Sequence, residues 1–267
     1  MFNLFRPNEK RKLHISTPSQ WRGLNRSYDP FVIFGHARSG SSLLVKLLQS
    51  HPNVLCFGEL FVRSRIGFSV ESFDNFNPDL LEMRDSKPEL FLNEYVFSPY
   101  KKEVHSVGFK LFPEQIDSNE IVWNWLSDNS KLKVIHLERS NRFAAFCSQK
   151  MAQKTGKYGI NDKNQRLNET LILDPLECLQ YFELREQMEQ KGIEFFANHD
   201  VLKLDYEDLD HNIDETLAKI LNFLGVAHTG LKTDKLKQEV RPLTEVVENY
   251  AELKKYFAET KWLNLFF

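Results

Sequence analysis

Residues 31–44, Phe-Val-Ile-Phe-Gly-His-Ala-Arg-Ser-Gly-Ser-Ser-Leu-Leu, run an apolar strand into a small-residue turn and then into an apolar helix. Gly35 and Gly40 stand five apart with Ser42 two further on. That is the spacing of a nucleotide-binding loop, in which backbone N–H groups and a helix N-terminus hold a polyanion. The position where a nucleoside triphosphatase needs its lysine, directly after the second glycine, holds Ser41, and the loop's arginine, Arg38, lies on the other side of Gly40. The loop is therefore expected to hold a phosphate-like group, but not as ATP-hydrolysing enzymes hold a Mg²⁺-bound triphosphate. Arg38 would face the anion's bridging oxygens, with the amides and hydroxyls of Ser39, Gly40, Ser41 and Ser42 closing around the others. An ordinary strand-to-helix turn with Ser41 as its N-cap is the bland alternative.

Outward from this loop, apolar runs of strand length recur at 31–35, 54–57, 106–111, 132–137 and 200–204. Helical spacing separates them, most clearly over Ser41–Gln49, Ser118–Ser127, Arg142–Lys154, Pro175–Gln190, Ile213–Leu224 and Leu243–Phe257. Such alternation predicts an α/β fold, a mostly parallel sheet with helices on both faces. Asp174 before Pro175 reads as a helix start and Gly225 as a helix stop. Residues 60–105 and 155–173 are less regular and are expected to form a substrate rim or lid. Residues 1–28 read as an irregular N-terminal arm, and 29–267 as a single domain.

With 267 residues, 42% of them apolar, the chain can bury a sizeable core. Lys and Arg number 35 against 37 acidic residues, for a formal charge of −2, so nothing global points to nucleic acid and any anion site must be local. Cys56, Cys147 and Cys178 are odd in number and widely spaced, which suggests neither a disulfide framework nor a metal knot and fits a reducing cytoplasm. No run approaches the ~20 apolar residues of a transmembrane span, although a peripheral contact at the inner face of a membrane stays open.

A second constellation is Leu137-Glu138-Arg139-Ser140-Asn141, with Ser148 nine residues after Arg139. Here an arginine leaves a strand at the sheet edge where doubly wound folds bind ligands, and a hydroxyl follows on the next helix. Arg139 and Ser148 can clamp a second phosphate near the first; alternatively Arg139 pairs with a surface carboxylate.

Together, GHARSGSSLLVKLLQSHPNVLCFGELF, VGFKLF, VIHLERSNRFAAFCSQKMA, LDYEDL and PLTEVVENYAELKKYF resemble the sulfotransferases that use 3′-phosphoadenosine 5′-phosphosulfate, and among them the bacterial carbohydrate type. The resemblance implies a P-loop-type fold, a three-layer sandwich. It assigns Arg38, Ser39, Gly40, Ser41 and Ser42 to the 5′-phosphosulfate, and Arg139 with Ser148 to the 3′-phosphate. It implies no metal, and as acceptor a hydroxylated small molecule, a sugar or glycolipid. Glu59, just past the run 54–57, corresponds to the glutamate such enzymes use as general base, and Phe57, Leu60 and Phe61 around it are expected to desolvate it. Lys110 occupies a segment the family shares and is expected to touch sulfate or acceptor, while Phe61 and Arg63 are expected on the acceptor rim. A nucleotide kinase sharing the loop, or a non-catalytic nucleotide-binding module, are the readings to be set against this one.

Overall fold

The computed structural model describes residues 18–159, 168–234 and 239–267. After a short strand β1 (Arg22–Asn25), the chain runs β2 (Asp29–Gly35), α1 (Ser41–Gln49), β3 (Val54–Glu59), α2 (Pro78–Ser86), α3 (Pro88–Leu90), β4 (Ser106–Leu111), α4 (Glu120–Asp128), β5 (Lys133–Glu138) and α5 (Arg142–Thr155). There follow α6 (Pro175–Phe195), β6 (Val201–Asp205), α7 (Tyr206–His211), α8 (Ile213–Leu224), α9 (Leu243–Val246) and α10 (Tyr250–Tyr256). The sheet has the order β3-β4-β2-β5-β6, and every neighbouring pair is parallel. All five strands therefore end on one edge, and β2, which feeds the glycine loop, lies at the centre.

Alternation along the strands divides the interior. Val32, Phe34, Phe57, Phe109 and Val134 pack with Val122 and Leu126 of α4 and with Phe196 on one face. Phe31, Ile33, Cys56, Ile135 and Leu137 pack on the other, under Leu44 and Leu48 of α1 and Ile220 and Leu224 of α8. This is the expected sandwich of helices on both faces. A third cluster joins Phe143 of α5, Phe182 of α6, Phe257 and Phe266, so the aromatic C-terminus is core up to Phe266. Asp174 caps α6 through its side chain ahead of Pro175, and Gly225 ends α8 in the left-handed conformation, as their residue types predict.

Several expectations are corrected. The helix read as one piece from Leu243 is broken between Val246 and Tyr250. Within the supposed arm, the described residues after 17 include β1, bridged to Tyr100, and the buried Tyr28. Of the stretch 155–173 read as a lid, residues 160–167 lie outside the described residues. The segment 60–105 is not a loose rim: it holds α2, α3 and a π-helical turn, Phe91–Val96. Phe61 is only 7% exposed and packs its ring against Phe91 and Phe109, and Phe68 and Phe73 are buried with it. These rings supply core area rather than a stacking surface for substrate.

Arg84 of α2 organises the beginning of this segment. Buried to 3% exposure, it donates from Nη1 to the carbonyls of Leu60 (3.2 Å), Val62 (2.6 Å) and Arg65 (2.7 Å), with its charge met by Asp85. One guanidinium thus satisfies several carbonyls of a turn that makes no regular ladder. Arg84→Ala leaves those oxygens unpaired and is expected to cost about 2–4 kcal/mol in urea unfolding.

Candidate active site

The loop between β2 and α1 is close-packed on both sides. A Cβ at Gly35 would lie 2.3 Å from the Leu137 carbonyl, and one at Gly40, whose φ is +83°, would lie 2.4 Å from the Tyr206 ring. Glycine at 40 is thus required both by the left-handed backbone and by the ring against it. Gly40, not Ser41, is the N-cap of α1, and it supplies no side-chain cap. The first-turn amides of the helix thus keep their positive end for a ligand. Ser39 beside them is 3% exposed, and its Oγ has no hydrogen-bond partner among the described residues. A buried orphan hydroxyl next to an uncapped helix N-terminus fits an anion's oxygens.

Arg38 also has a left-handed backbone, φ 71°, which an arginine adopts only when its surroundings impose it. Its side chain crosses to α5: Nε and Nη2 donate to Ser148 Oγ at 2.9 and 2.8 Å, and Nη1 to the Tyr158 carbonyl at 2.7 Å. Arg139, at the end of β5, donates from Nη1 to the Arg38 carbonyl at 3.2 Å and stacks over the Tyr206 ring at 4.4 Å. Arg38, Arg139 and Ser148, read from sequence as two separate phosphate contacts, thus form one patch against the loop. Burial, and then the neighbouring Arg139, press the Arg38 pKa below its ordinary value. An anion bound beside the two guanidiniums offsets this unfavourable effect of Arg139 on Arg38.

Glu59 and Lys110 meet on the other side of the loop. In the β3–β4 pairing Phe57 faces Phe109 and Glu59 faces Lys110, so an extra residue, Gly58, bulges out and turns Glu59 onto Lys110. Lys110 is 4% exposed and Glu59 30%. The ammonium lies 2.7 Å from Glu59 Oε1 and donates to Ser42 Oγ at 3.0 Å. Burial pushes the Lys110 pKa down, and Glu59 pulls it back. Glu59 Oε2 accepts from Gln115 Nε2 at 2.7 Å. The apolar surroundings expected for this carboxylate are therefore replaced by a cation and an amide. Arg63 is exposed beyond it, with its backbone oxygen 3.4 Å from Arg84.

Sequence reasoning missed the second layer. Glu114 accepts from Arg185 at 2.8 Å and lies 3.0 Å from His36 Nδ1. Burial raises the Glu114 pKa, but His36 and Arg185 outweigh it and hold it at about 2. Asn141, which looked like part of the phosphate motif, caps α5 by accepting from the Ala144 amide at 2.8 Å and so aims Arg139 and Ser148. Among the described residues no group of histidine, cysteine and acidic side chains is arranged to hold a metal ion, and no helix is long and apolar enough to cross a membrane.

A phosphate-type loop, a basic patch beside it and a carboxylate across a buried lysine define a group-transfer enzyme acting on an anionic donor. Comparison with known proteins gives the group. Residues 30–118 match the model of the sulfotransferase family. The chain is 30% identical to nodulation protein H of Rhizobium tropici over 90% of its length and 94% of that protein. It is 26% identical to nodulation protein H of Rhizobium meliloti (strain 1021), over 89% and 94% of the two chains. Among solved structures, a sulfotransferase from Alicyclobacillus acidocaldarius superposes with a TM-score of 0.48 at 16% identity, covering 85% of this chain and 90% of that one. Mouse sulfotransferase SULT7A1 complexed with PAP gives 0.41 at 13%, covering 85% and 66%. The chain belongs to the sulfotransferase family and is a sulfotransferase.

Glu207, 3.6 Å from Arg139 Nε, carries a pH dependence. Burial first, and then Asp205, raise its pKa from 4.5 to about 7. Across that window the folded chain binds more protons than the unfolded one, so this group's contribution to stability falls as pH rises from about 4.5 to 7. Glu207→Gln removes the penalty. Its stability relative to wild type is expected to be higher at pH 8 than at pH 4.5 in paired denaturant titrations.

Proposed function

We propose that this sulfotransferase takes its sulfuryl group from 3′-phosphoadenosine 5′-phosphosulfate and delivers it to a hydroxyl of a carbohydrate or glycolipid, with Glu59 as general base. The observation that carries the reading is the gathering on one sheet edge of an uncapped helix N-terminus with the buried Ser39 hydroxyl, of Arg38 on Ser148 with Arg139 on the Arg38 carbonyl, and of Glu59 facing Lys110. A donor carrying a 5′-phosphosulfate and a 3′-phosphate needs hydrogen-bond donors for two anionic groups, and the loop with the adjoining Arg38, Arg139 and Ser148 supports this. The resemblance of the motif segments to the bacterial carbohydrate type of the family supports the acceptor class.

Glu59 takes the proton from the acceptor hydroxyl as its oxygen bonds to sulfur. The bond from sulfur to the bridging oxygen breaks in line, and its electron pair leaves on the 5′-phosphate. Ser41, Ser42 and the α1 amides, with Arg38 turned from Ser148 to the loop, hold that growing charge. Lys110, between Ser42 and Glu59, is placed to meet the equatorial sulfuryl oxygens. A sulfuryl group carries less negative charge than a phosphoryl group, which suits a loop with Ser41 where a triphosphatase has lysine. The three buried free thiols, Cys56, Cys147 and Cys178, support a reducing cytoplasm as the place of action.

Calorimetry without metal is expected to give micromolar binding of 3′-phosphoadenosine 5′-phosphate and binding of ADP at least tenfold weaker, with the preference lost in Arg139→Ala. Equal binding of the two nucleotides overturns the donor assignment. Glu59→Gln is expected to keep nucleotide binding and to lose about 10²–10⁴-fold in kcat for transfer of labelled sulfate to trehalose and other sugars.

A further inference from the structure

The turn Pro113–Gln115 that follows β4 is a three-residue 3-10 helix whose adjacent side chains reach in opposite directions. Glu114 binds His36, at the entrance of the glycine loop, and Arg185 of α6. Gln115 reaches the carboxylate across from Lys110, donating from Nε2 to Glu59 Oε2 at 2.7 Å, while its own Oε1 accepts from the Phe112 amide at 3.4 Å. The amide is thereby oriented from both ends: its oxygen is spent on its own turn, so its nitrogen must face Glu59.

From this geometry we infer that Gln115 is a positioning residue for sulfuryl transfer, holding the Glu59 carboxylate at the angle from which it takes the acceptor proton. The inference rests on the reading of Glu59 as general base. Three constraints fix that side chain. The Gly58 bulge and the Gly67 N–H to Glu59 carbonyl bond, 2.8 Å, set its backbone. Lys110 holds Oε1. Gln115 holds Oε2. Without the last, the carboxylate can rotate about the Lys110 contact, and the oxygen facing the acceptor is no longer defined.

The chemical type of the clamp also matters. A second ammonium or guanidinium on Oε2 would hold the carboxylate as an anion and oppose proton uptake. A neutral amide fixes direction with less charge, and its N–H bond is compatible with a proton arriving at a remaining lone pair. The carboxylate is thus gripped by a cation on the oxygen facing the loop and by a neutral donor on the other. Because Glu114 ties the same turn to His36, the base and the loop entrance share one rigid mount.

The test compares Gln115→Met, close in shape but lacking the N–H donor, with wild type and with Glu59→Gln, all in the full chain. Labelled 3′-phosphoadenosine 5′-phosphosulfate and trehalose are the probes, and crystals with 3′-phosphoadenosine 5′-phosphate report the Glu59 rotamer. Expected for Gln115→Met are a melting temperature lowered by a few degrees at most, an unchanged nucleotide affinity, donor and acceptor KM within twofold, and kcat lowered about ten- to a hundredfold, the effect of losing one hydrogen bond to a charged group. In the crystals Glu59 Oε2 is expected on Gln115 in wild type and displaced in Gln115→Met. An unmoved Glu59 in the variant, a wild-type Glu59 turned away from Gln115, or a kcat within twofold of wild type overturns the inference. The last result, with Glu59→Gln inactive, removes the positioning role and leaves the base in place. A Glu59→Gln enzyme that turns over normally removes the base reading itself, and the inference with it.

Discussion

Everything in this molecule hangs on β2 being paired in parallel on both sides. The register with β4 and β5 is continuous from Phe31 to Phe34, so no slip is available without turning buried Phe31 and Ile33 out of one core and Val32 and Phe34 out of the other. With β2 locked, its C-terminal end opens between the ends of β4 and β5. The loop from Gly35 to Ser42 has nowhere to lie except above that edge, flanked by Lys110 from one neighbour and Arg139 from the other. The site is therefore a consequence of strand order: β4 contributes the residue that meets Glu59, and β5 the residue that meets Arg38.

Charge around the loop is arranged unevenly. Arg38 and Arg139 lie together on one side, partly offset by Glu207, whose pKa is raised by burial and by Asp205. Lys110 on the other side is fully matched by Glu59. The first arrangement wants an added anion and the second does not. The proposed donor, with its sulfuryl end directed towards β3 and β4, suits this asymmetry: its most highly charged groups fall where the cations are in excess, and the sulfuryl group falls beside Glu59.

The architecture was legible because it rests on short-range signals. Strand-length apolar runs, Asp174-Pro175 and Gly225 each have a local physical cause, and Ser41–Gln49 and Ile213–Leu224 appear with the predicted limits. The segment 60–105 was not legible. Its helices are short, and α2 buries little beyond Leu80 and Arg84, so no apolar period marks it. Phe61 looked like a rim residue because a phenylalanine beside a catalytic candidate reads equally as stacking surface and as core; only Phe91 and Phe109, brought in from far along the chain, decide for core. Individual site residues were visible through motif spacing, but their partners were not. Gln115, Glu114, Tyr206 and Arg185 reach the site through tertiary contacts, and Asn141, although within the motif, acts as a helix cap that the motif does not announce.

The two halves of the site are mechanically joined, and this limits how either can change. Lys110 touches Ser42 in the cradle and Glu59 beyond it, while the turn after β4 touches His36 at the loop entrance and Glu59 again. A shift of β4 by a fraction of an ångström moves both contacts at once. The Gly58 bulge lies on β3, at the outer edge of the sheet, where the Gly58 N–H donates to the Phe68 carbonyl at 3.0 Å and the Gly67 N–H to the Glu59 carbonyl at 2.8 Å. The segment after Glu59 is gripped by Arg84 through main-chain carbonyls, and so without regard to side-chain identity. The donor side, built on the central strand and packed between Leu137 and Tyr206, has no comparable freedom. In the proposed reading the donor cradle is thus fixed at the centre of the sheet, while Glu59 is set at its edge by the bulge and the residues that follow it.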